Sequence, residues 1–413
     1  MIRTTSSSIA LALVCIALAG TASARAADVV VFAAGDIACD PADPSFNGGN
    51  GTATACRQKA TANVMPTGSF NAVLALGDLQ YDAASASNFA QAYDPSWGRV
   101  KPQTVPVIGN HEGMGAASGA GYCGYFGAAA HCNSSGRQGG AAFYSFNLGD
   151  WHVVVLNSNC AAAGGCDAGS PQYRWLQADL AANPRACTLA AWHHPRWSSG
   201  AYGSSAFMQP IWQLFYAAGG DLVLSGHSHD YERFAPIDGA GAVNASNGMR
   251  SFVVGTGGVD FTGWRGGAVR GSEVRQNTTF GVLRLGLHPT SYDWAFVPAS
   301  GSMFADGGSQ ACRGVAPPPP APPPVESTNP PASALLARWR LKSRVARRSL
   351  ARGWVRVPRR QWAPTIIHVR VGARVAGKRR VRTKRALRVH LAAWTAKPHY
   401  RRSTITVTIL RPL

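Results

Sequence analysis

Beyond Ala332 the sequence contains no aspartate or glutamate. Of the 40 Lys and Arg in the 413-residue chain, 23 lie in that stretch; the 20 acidic residues and the other 17 basic ones lie before it, at a net −3. The formal +20 therefore belongs to one end of the chain, and a near-neutral body is joined to a strongly basic one. C-x-x-C pairs are missing, which argues against a zinc cluster as the use of the cysteines. No G-x-x-x-x-G-K-[ST] run occurs, so the glycine-rich stretches GTGG and RGG read as turns, not phosphate loops. Self-similarity at a period of about 20 to 50 residues, the sign of a solenoid, is absent. After the N-terminal leader there is no apolar stretch of about 18 residues, so no membrane span is expected.

What is present begins with that leader. Arg3, the apolar run IALALVCIALAG and the small residues TASARAA form a secretory signal over residues 1–26, with cleavage expected after Ala24 or Ala26. The expectation is a secreted protein, extracellular or held at the cell surface. Loss of the leader removes Cys15 and leaves an even set of eight cysteines, which in an oxidising compartment reads as disulfides. Sequence cannot choose among the pairings of eight. Nearness along the chain favours Cys39 with Cys56, Cys123 with Cys132 and Cys160 with Cys166, leaving Cys187 with Cys312. The run APPPPAPPPVESTNPPA, residues 316–332, reads as a polyproline spacer between a domain over 27–315 and a basic domain over 333–413.

In the first domain, apolar runs repeatedly end in polar or glycine-rich turns: VVVFAAGD, AVLALGD, VPVIGNH, WHVVVLNS, CTLAAWHH, DLVLSGHSH and SFVVGTGG. Such runs are buried strands that deliver loops to one edge. SPQYRWLQADLAAN reads as a helix, with Ser170 as cap, Pro171 in the first turn and Tyr173, Leu176 and Leu180 on one side. The class is α/β.

The octapeptide GHSHDYER places His227 and His229 one residue apart just after the strand run LVLS. Within a strand the two rings would face opposite ways, but where the chain turns they can converge, and converging imidazoles are metal ligands. Four other strand ends carry Asp36, Asp78 with Tyr81, Asn110 with His111, and His193 with His194. Each of these alone reads as a helix cap or a turn. Together they provide two carboxylates, an amide oxygen, a phenol and three or four imidazoles, a set suited to two first-row metal ions rather than to calcium or magnesium.

The ordered motifs GD, GDxxY, GNHE, HxP and GHxHxYER resemble the purple acid phosphatases, within the calcineurin-like metallophosphoesterases, over about Val29 to Arg313. The resemblance implies a sandwich of two mixed sheets flanked by helices. It further implies Asp36, Asp78, Tyr81 and His229 around one ion and Asp78, Asn110, His193 and His227 around the other, Asp78 bridging. Charge agrees with this division: two carboxylates and a phenolate suit a trivalent ion, and the largely neutral second set a divalent one. Iron(III) with Fe(II), Zn(II) or Mn(II) is expected, and phosphate monoesters are the expected substrates, attacked by metal-bound hydroxide. A phosphodiesterase or nucleotide pyrophosphatase on the same site, and a non-catalytic surface-binding protein, are the alternatives. His111 would orient the phosphate or protonate the leaving group, and His194 is a second catalytic candidate. Two departures stand out: Ala38 where glycine is usual, and RWSSGAYGSS after HHP, where a substrate-facing histidine is expected and Tyr202 or Arg196 stands instead. His131, His152 and His288 have no ligand-like context and read as structural.

Past the spacer, RWRLKSRV, WVRV, TIIHVRVGARV, RALRVHL and STITVTIL alternate apolar and polar residues, the pattern of a small antiparallel β-domain with arginines on its solvent face. The charge calls for an anionic partner; with no nucleic-acid-reading motif, a cell-surface polymer or polyphosphate is the expected one, and no specific nucleic acid. Removing everything after Pro324 is expected to preserve hydrolysis of small phosphate esters and to abolish salt-sensitive adsorption to anionic polymers. A folded truncated protein without activity would contradict the two-body organisation.

Overall fold

The computed structural model describes residues 29–68, 70–113, 119–132, 142–299, 301 and 303–314, and the backbone of six later strands. The leader (1–26) and the proline-rich spacer (316–332) lie outside the described residues. The chain divides into two compact units, 1–319 and 320–413.

All seven apolar runs of the first unit form strands. In chain order the strands are β1 (Val29–Ala34), β2 (Ala72–Leu76), β3 (Thr104–Val107), β4 (Tyr144–Leu148), β5 (Trp151–Val155), β6 (Cys187–Ala191), β7 (Leu222–Ser225), β8 (Tyr231–Phe234), β9 (Arg250–Val254), β10 (Ser272–Gln276), β11 (Gly281–Leu287), β12 (Ser291–Pro298) and β13 (Gly307–Ala311). They make a six-stranded sheet, β13-β12-β11-β1-β2-β3, and a seven-stranded sheet, β10-β8-β9-β7-β6-β5-β4. Both are mixed: β1, β2 and β3 run parallel, as do β5, β6, β7 and β9, with antiparallel strands completing each sheet.

The period of two along the strands sorts the core. Val153, Val155, Leu189, Ala191, Leu222 and Leu224 belong to the cluster between the sheets, where they join Val31, Leu74 and Leu283. Their neighbours Val154, Ala190 and Val223 face the other way and pack with Leu176, Ile211, Trp212 and Phe215 of the helices Pro171–Ala182 and Gln209–Ala217. Strands buried on both faces are continuous apolar runs for this reason. Ser170 Oγ accepts the Tyr173 N–H at 3.3 Å and caps the first helix as expected.

The four disulfides pair Cys39–Cys56, Cys123–Cys132, Cys160–Cys166 and Cys187–Cys312. The last spans 125 residues and ties the start of β6, in one sheet, to the residue after β13, in the other. Among the described residues no helix is long and apolar enough to cross a membrane. The second unit consists of β14 (Leu335–Arg340), β15 (Trp354–Val357), β16 (Thr365–Val371), β17 (Arg374–Val381), β18 (Leu387–His390) and β19 (Ile405–Leu410). Its four-stranded sheet, β14-β19-β16-β17, and the pair β15-β18 are antiparallel throughout. Replacing Cys187 and Cys312 together by serine is expected to lower stability by about 2–4 kcal/mol, read from denaturant unfolding. No change in unfolding midpoint would mean that this crosslink does not constrain the unfolded chain.

Candidate metal centre

Parallel strands place their carboxyl ends together, and here two sheets do so at one edge. Asp36 follows β1 by two residues, Asp78 follows β2, His193 follows β6 and His227 follows β7 by the same step, and Asn110 follows β3 by three. The chain turns sharply at these points: Asp36, Asp78 and His227 have φ of 59°, 49° and 72°, left-handed conformations that side-chain-bearing residues rarely adopt. Such backbones persist where surrounding contacts over-determine them, and they concentrate at functional sites.

Much of that determination comes from Glu112. Its buried carboxylate accepts N–H groups from Asp78 (2.9 Å), Leu79 (2.8 Å) and Gln80 (3.3 Å) on one loop and from Gly109 (2.8 Å) on another. The loops are drawn so close that a Cβ on Gly109 would lie 2.1 Å from the Asp78 backbone nitrogen. Gly77, at φ +86°, likewise leaves room for the His193 ring, whose Nδ1 would be 2.5 Å from a Cβ there.

The donor atoms converge in two groups. The Tyr81 hydroxyl lies 3.0 Å from Asp36 Oδ1, 3.3 Å from Asp78 Oδ2 and 3.0 Å from His229 Nε2. His193 Nε2 lies 3.1 Å from Asn110 Oδ1 and 3.1 Å from Asp78 Oδ2, and Asp78, His193 and His227 offer ligand atoms all within 4.8 Å of one another. Asp78 thus faces both groups. His193 Nδ1–H donates to the Leu76 carbonyl at 2.8 Å, and His229 Nδ1 pairs with Asp260; each ring therefore presents Nε2 to the centre, the arrangement of metal-ligating imidazoles.

The electrostatics fit a cation. Asp36 and Asp78 are fully buried, and the counter-charges acting on them are imidazoles. Burial raises the Asp36 carboxyl despite His229 and His193; burial opposes Asp78 too, but His193 and His111 hold it well below the usual carboxylate range. Burial and the negative charge of Asp36 and Asp78 push the Tyr81 phenol far up, so a phenolate there would need a bound cation to stabilise it. Burial lowers His193, but Asp78 more than reverses this, to about 9. His227 is pushed down to about 2 and His194 to about 3, by burial first and then by the neighbouring His193 charge.

The seven candidate ligands Asp36, Asp78, Tyr81, Asn110, His193, His227 and His229 are all in this cluster. The His111 ring lies tilted against Tyr81, 4.2 Å between centroids; His111 donates its backbone N–H to Asp78 Oδ1 (2.8 Å) and has Nδ1 2.7 Å from the Asp82 carbonyl. His194 lies 4.3 Å from the His227 ring, with Nδ1 2.8 Å from Ser158 Oγ. Of the two substitutes for the missing histidine, Tyr202 comes to the centre, 4.9 Å from the His227 ring, whereas Arg196 donates to Gln209 and stacks on Trp197. His131, His152 and His288 are engaged with Tyr144, Asp179 and Asp293. Sequence reasoning assigned no role to Glu112, Asp260 or Ser158. Glu112 was within reach as the last residue of GNHE, whereas the distant Asp260 and Ser158 carry no local signal.

The chain resembles known proteins in sequence and in fold. The calcineurin-like phosphoesterase family model matches residues 35–231. Purple acid phosphatase 15 of Arabidopsis thaliana is 32% identical over 158 residues, 35% of this chain and 29% of that protein. Purple acid phosphatase 23 of the same plant is 32% identical over 168 residues, 38% of this chain and 36% of that protein. The chain thus spans about a third of the length of the curated relatives it matches. An uncharacterised protein of Mycobacterium tuberculosis is 32% identical over 192 residues, 40% of this chain and 35% of that one. The fold is similar to that of a purple acid phosphatase from yellow lupin seeds, at TM-score 0.54 and 18% identity, over 70% of this chain and 54% of that one.

Glu112→Ala is expected to lower stability by about 3–5 kcal/mol, because it strands buried N–H donors of two loops, and to reduce bound metal in the folded fraction. Glu112→Gln, which keeps an acceptor oxygen, should lose less. Equal losses in unfolding and metal analysis for the two variants would show that hydrogen bonding by Glu112 is not what holds the loops.

Proposed function

We propose that this chain, a member of the calcineurin-like phosphoesterases in their purple acid phosphatase branch, hydrolyses phosphate monoesters at the centre just described. One observation carries the reading: the Tyr81 hydroxyl stands among Asp36, Asp78 and His229, where a phenolate completes a donor set for a trivalent ion. Asp36, Asp78, Tyr81 and His229 would hold iron(III), and Asp78, Asn110, His193 and His227 would hold Fe(II), Zn(II) or Mn(II). When bound, the two ions supply an activated water and positive charge for the phosphate oxygens.

The residues of the chain do the remaining work. Asp78 balances both ions at once. His111 donates Nδ1–H to the Asp82 carbonyl, which turns Nε2 toward the centre, 3.9 Å from Asp78 Oδ2. A proton held at that Nε2 passes to the leaving alkoxide. His194, held neutral by its surroundings, orients rather than protonates: its ring is fixed by Ser158 and lies against His227. The leader implies export, and the 23 basic residues of 333–413 hold the enzyme to an anionic surface polymer.

Protein loaded with iron and zinc should hydrolyse p-nitrophenyl phosphate. Asp78→Asn should abolish turnover and lower metal content, since its loss leaves two cations facing each other. His111→Ala should keep its metals while kcat falls by roughly 10²–10⁴-fold. Iron-loaded oxidised protein should be purple, and Tyr81→Phe should lose the visible band. Two retained metals and a normal rate in Asp78→Asn would refute the assignment.

A further inference from the structure

Two cavities open from the centre, and they differ in charge. One, of about 360 Å³, adjoins Asn110 and His194 and is walled by Phe207, Ser158 and the Cys160 loop. The other, of about 560 Å³, is lined by His111, Tyr81 and His229 of the centre itself, and then by Asp40, Asp43, Asp82, Asp260 and Tyr202. None of its described lining residues is Lys or Arg. His111 selects between the two: the residue that protonates the leaving group lines only the acidic cavity, so the leaving group departs there.

The carboxylates of this cavity are not equivalent. Asp40 accepts hydrogen bonds on both oxygens, from Ala42 N–H and from Asn88 Nδ2, and Asp260 pairs with His229. Asp43 and Asp82 are exposed; Asp43 commits Oδ1 to the Ser45 N–H, and no hydrogen bond engages the Asp82 carboxylate among the described residues. The exposed Tyr202 also lines the cavity, its ring beside His227 and His229, at 4.9 and 6.0 Å between centroids. A cavity lined by an aromatic ring and by carboxylates is a receptor for a quaternary ammonium ion, through cation–π attraction and charge together. A polyphosphate or nucleotide leaving group would instead meet like charge.

We propose that this cavity is a leaving-group subsite for phosphomonoesters of amino alcohols that carry a quaternary ammonium group. The proposal rests on the phosphatase reading above. Hydrolysis breaks the P–O bond to the amino alcohol and consumes one water; the products are phosphate and the alcohol, whose oxygen takes its proton from His111. Asp43 and Asp82 face the cationic nitrogen, Tyr202 presents its ring to the methyl groups, and the alkyl chain reaches back to the phosphate.

The test compares phosphocholine with 3,3-dimethylbutyl phosphate, its neutral isostere, on the full-length metal-loaded protein, with p-nitrophenyl phosphate as an independent measure of turnover. The kcat/KM ratio of phosphocholine to the isostere is expected to be about tenfold at low salt and to shrink at high salt. It should fall toward one in Asp43→Asn/Asp82→Asn, where the amide oxygen introduced at the first position still accepts the Ser45 N–H, and in Tyr202→Leu but not Tyr202→Phe. A ratio at or below one, with both esters turned over, overturns the subsite and leaves the phosphatase reading standing. A ratio that survives both Asp43→Asn/Asp82→Asn and Tyr202→Leu also overturns it, since the selectivity would then lie elsewhere. Failure to hydrolyse any of the three esters, p-nitrophenyl phosphate included, refutes the phosphatase reading and this inference with it.

Discussion

Burying several carboxylates at one edge of a sandwich is the constraint on which the rest of this structure depends. Asp36, Asp78 and Glu112 are all withdrawn from water, and such charges are tolerated only where hydrogen bonds and counter-charge surround them. Glu112 uses backbone N–H groups of two loops for its own solvation and in doing so fixes both loops. Asp36 and Asp78 accept N–H groups from His227 and His111, on loops after other strands. Each carboxylate thus accepts N–H groups from a loop that carries another candidate ligand. The centre is assembled by its own need for hydrogen bonds.

The sandwich makes this possible because the strands beneath are rigid. Apolar residues on both faces of β5, β6 and β7 lock them between the inter-sheet core and the helices, so the loops leave from fixed points. Left-handed backbone at Asp36, Asp78 and His227 then aims side chains that would otherwise follow the strand's alternation. Glycine ahead of Asp78 and Asn110 is a packing requirement of the same convergence: at 2.1 to 2.5 Å no side chain fits between adjoining loops.

Charge is distributed just as unevenly along the chain as around the centre. All of the acidic residues but Glu326 lie before the spacer, where four of them line one cavity of the centre, and the basic excess lies beyond it. A strongly basic lining at the mouth would favour polyanionic substrates; the carboxylate lining disfavours them. The acidic lining of the centre and the basic excess therefore lie in separate parts of the chain.

The order of elements, the strand ends and the seven candidate ligands were legible in the amino-acid sequence, because buried parallel strands are continuous apolar runs and their polar exits stand out within a few residues. The helix at Ser170 was legible through its cap, three disulfides through nearness along the chain, and the fourth, Cys187–Cys312, as the pair left over. Tertiary structure alone placed the rest. Asp260 reaches His229 and Ser158 reaches His194 across separations of 31 and 36 residues, too far for any local pattern to register. The choice of Tyr202 over Arg196 depended on which way a loop turns after Pro195, and the acidic cavity on loops that begin at Asp40, Asp82 and Asp260. Periodicity reports which residues are buried and where a strand stops; which loops then face one another is set by how two sheets pack, a property no single stretch of sequence carries.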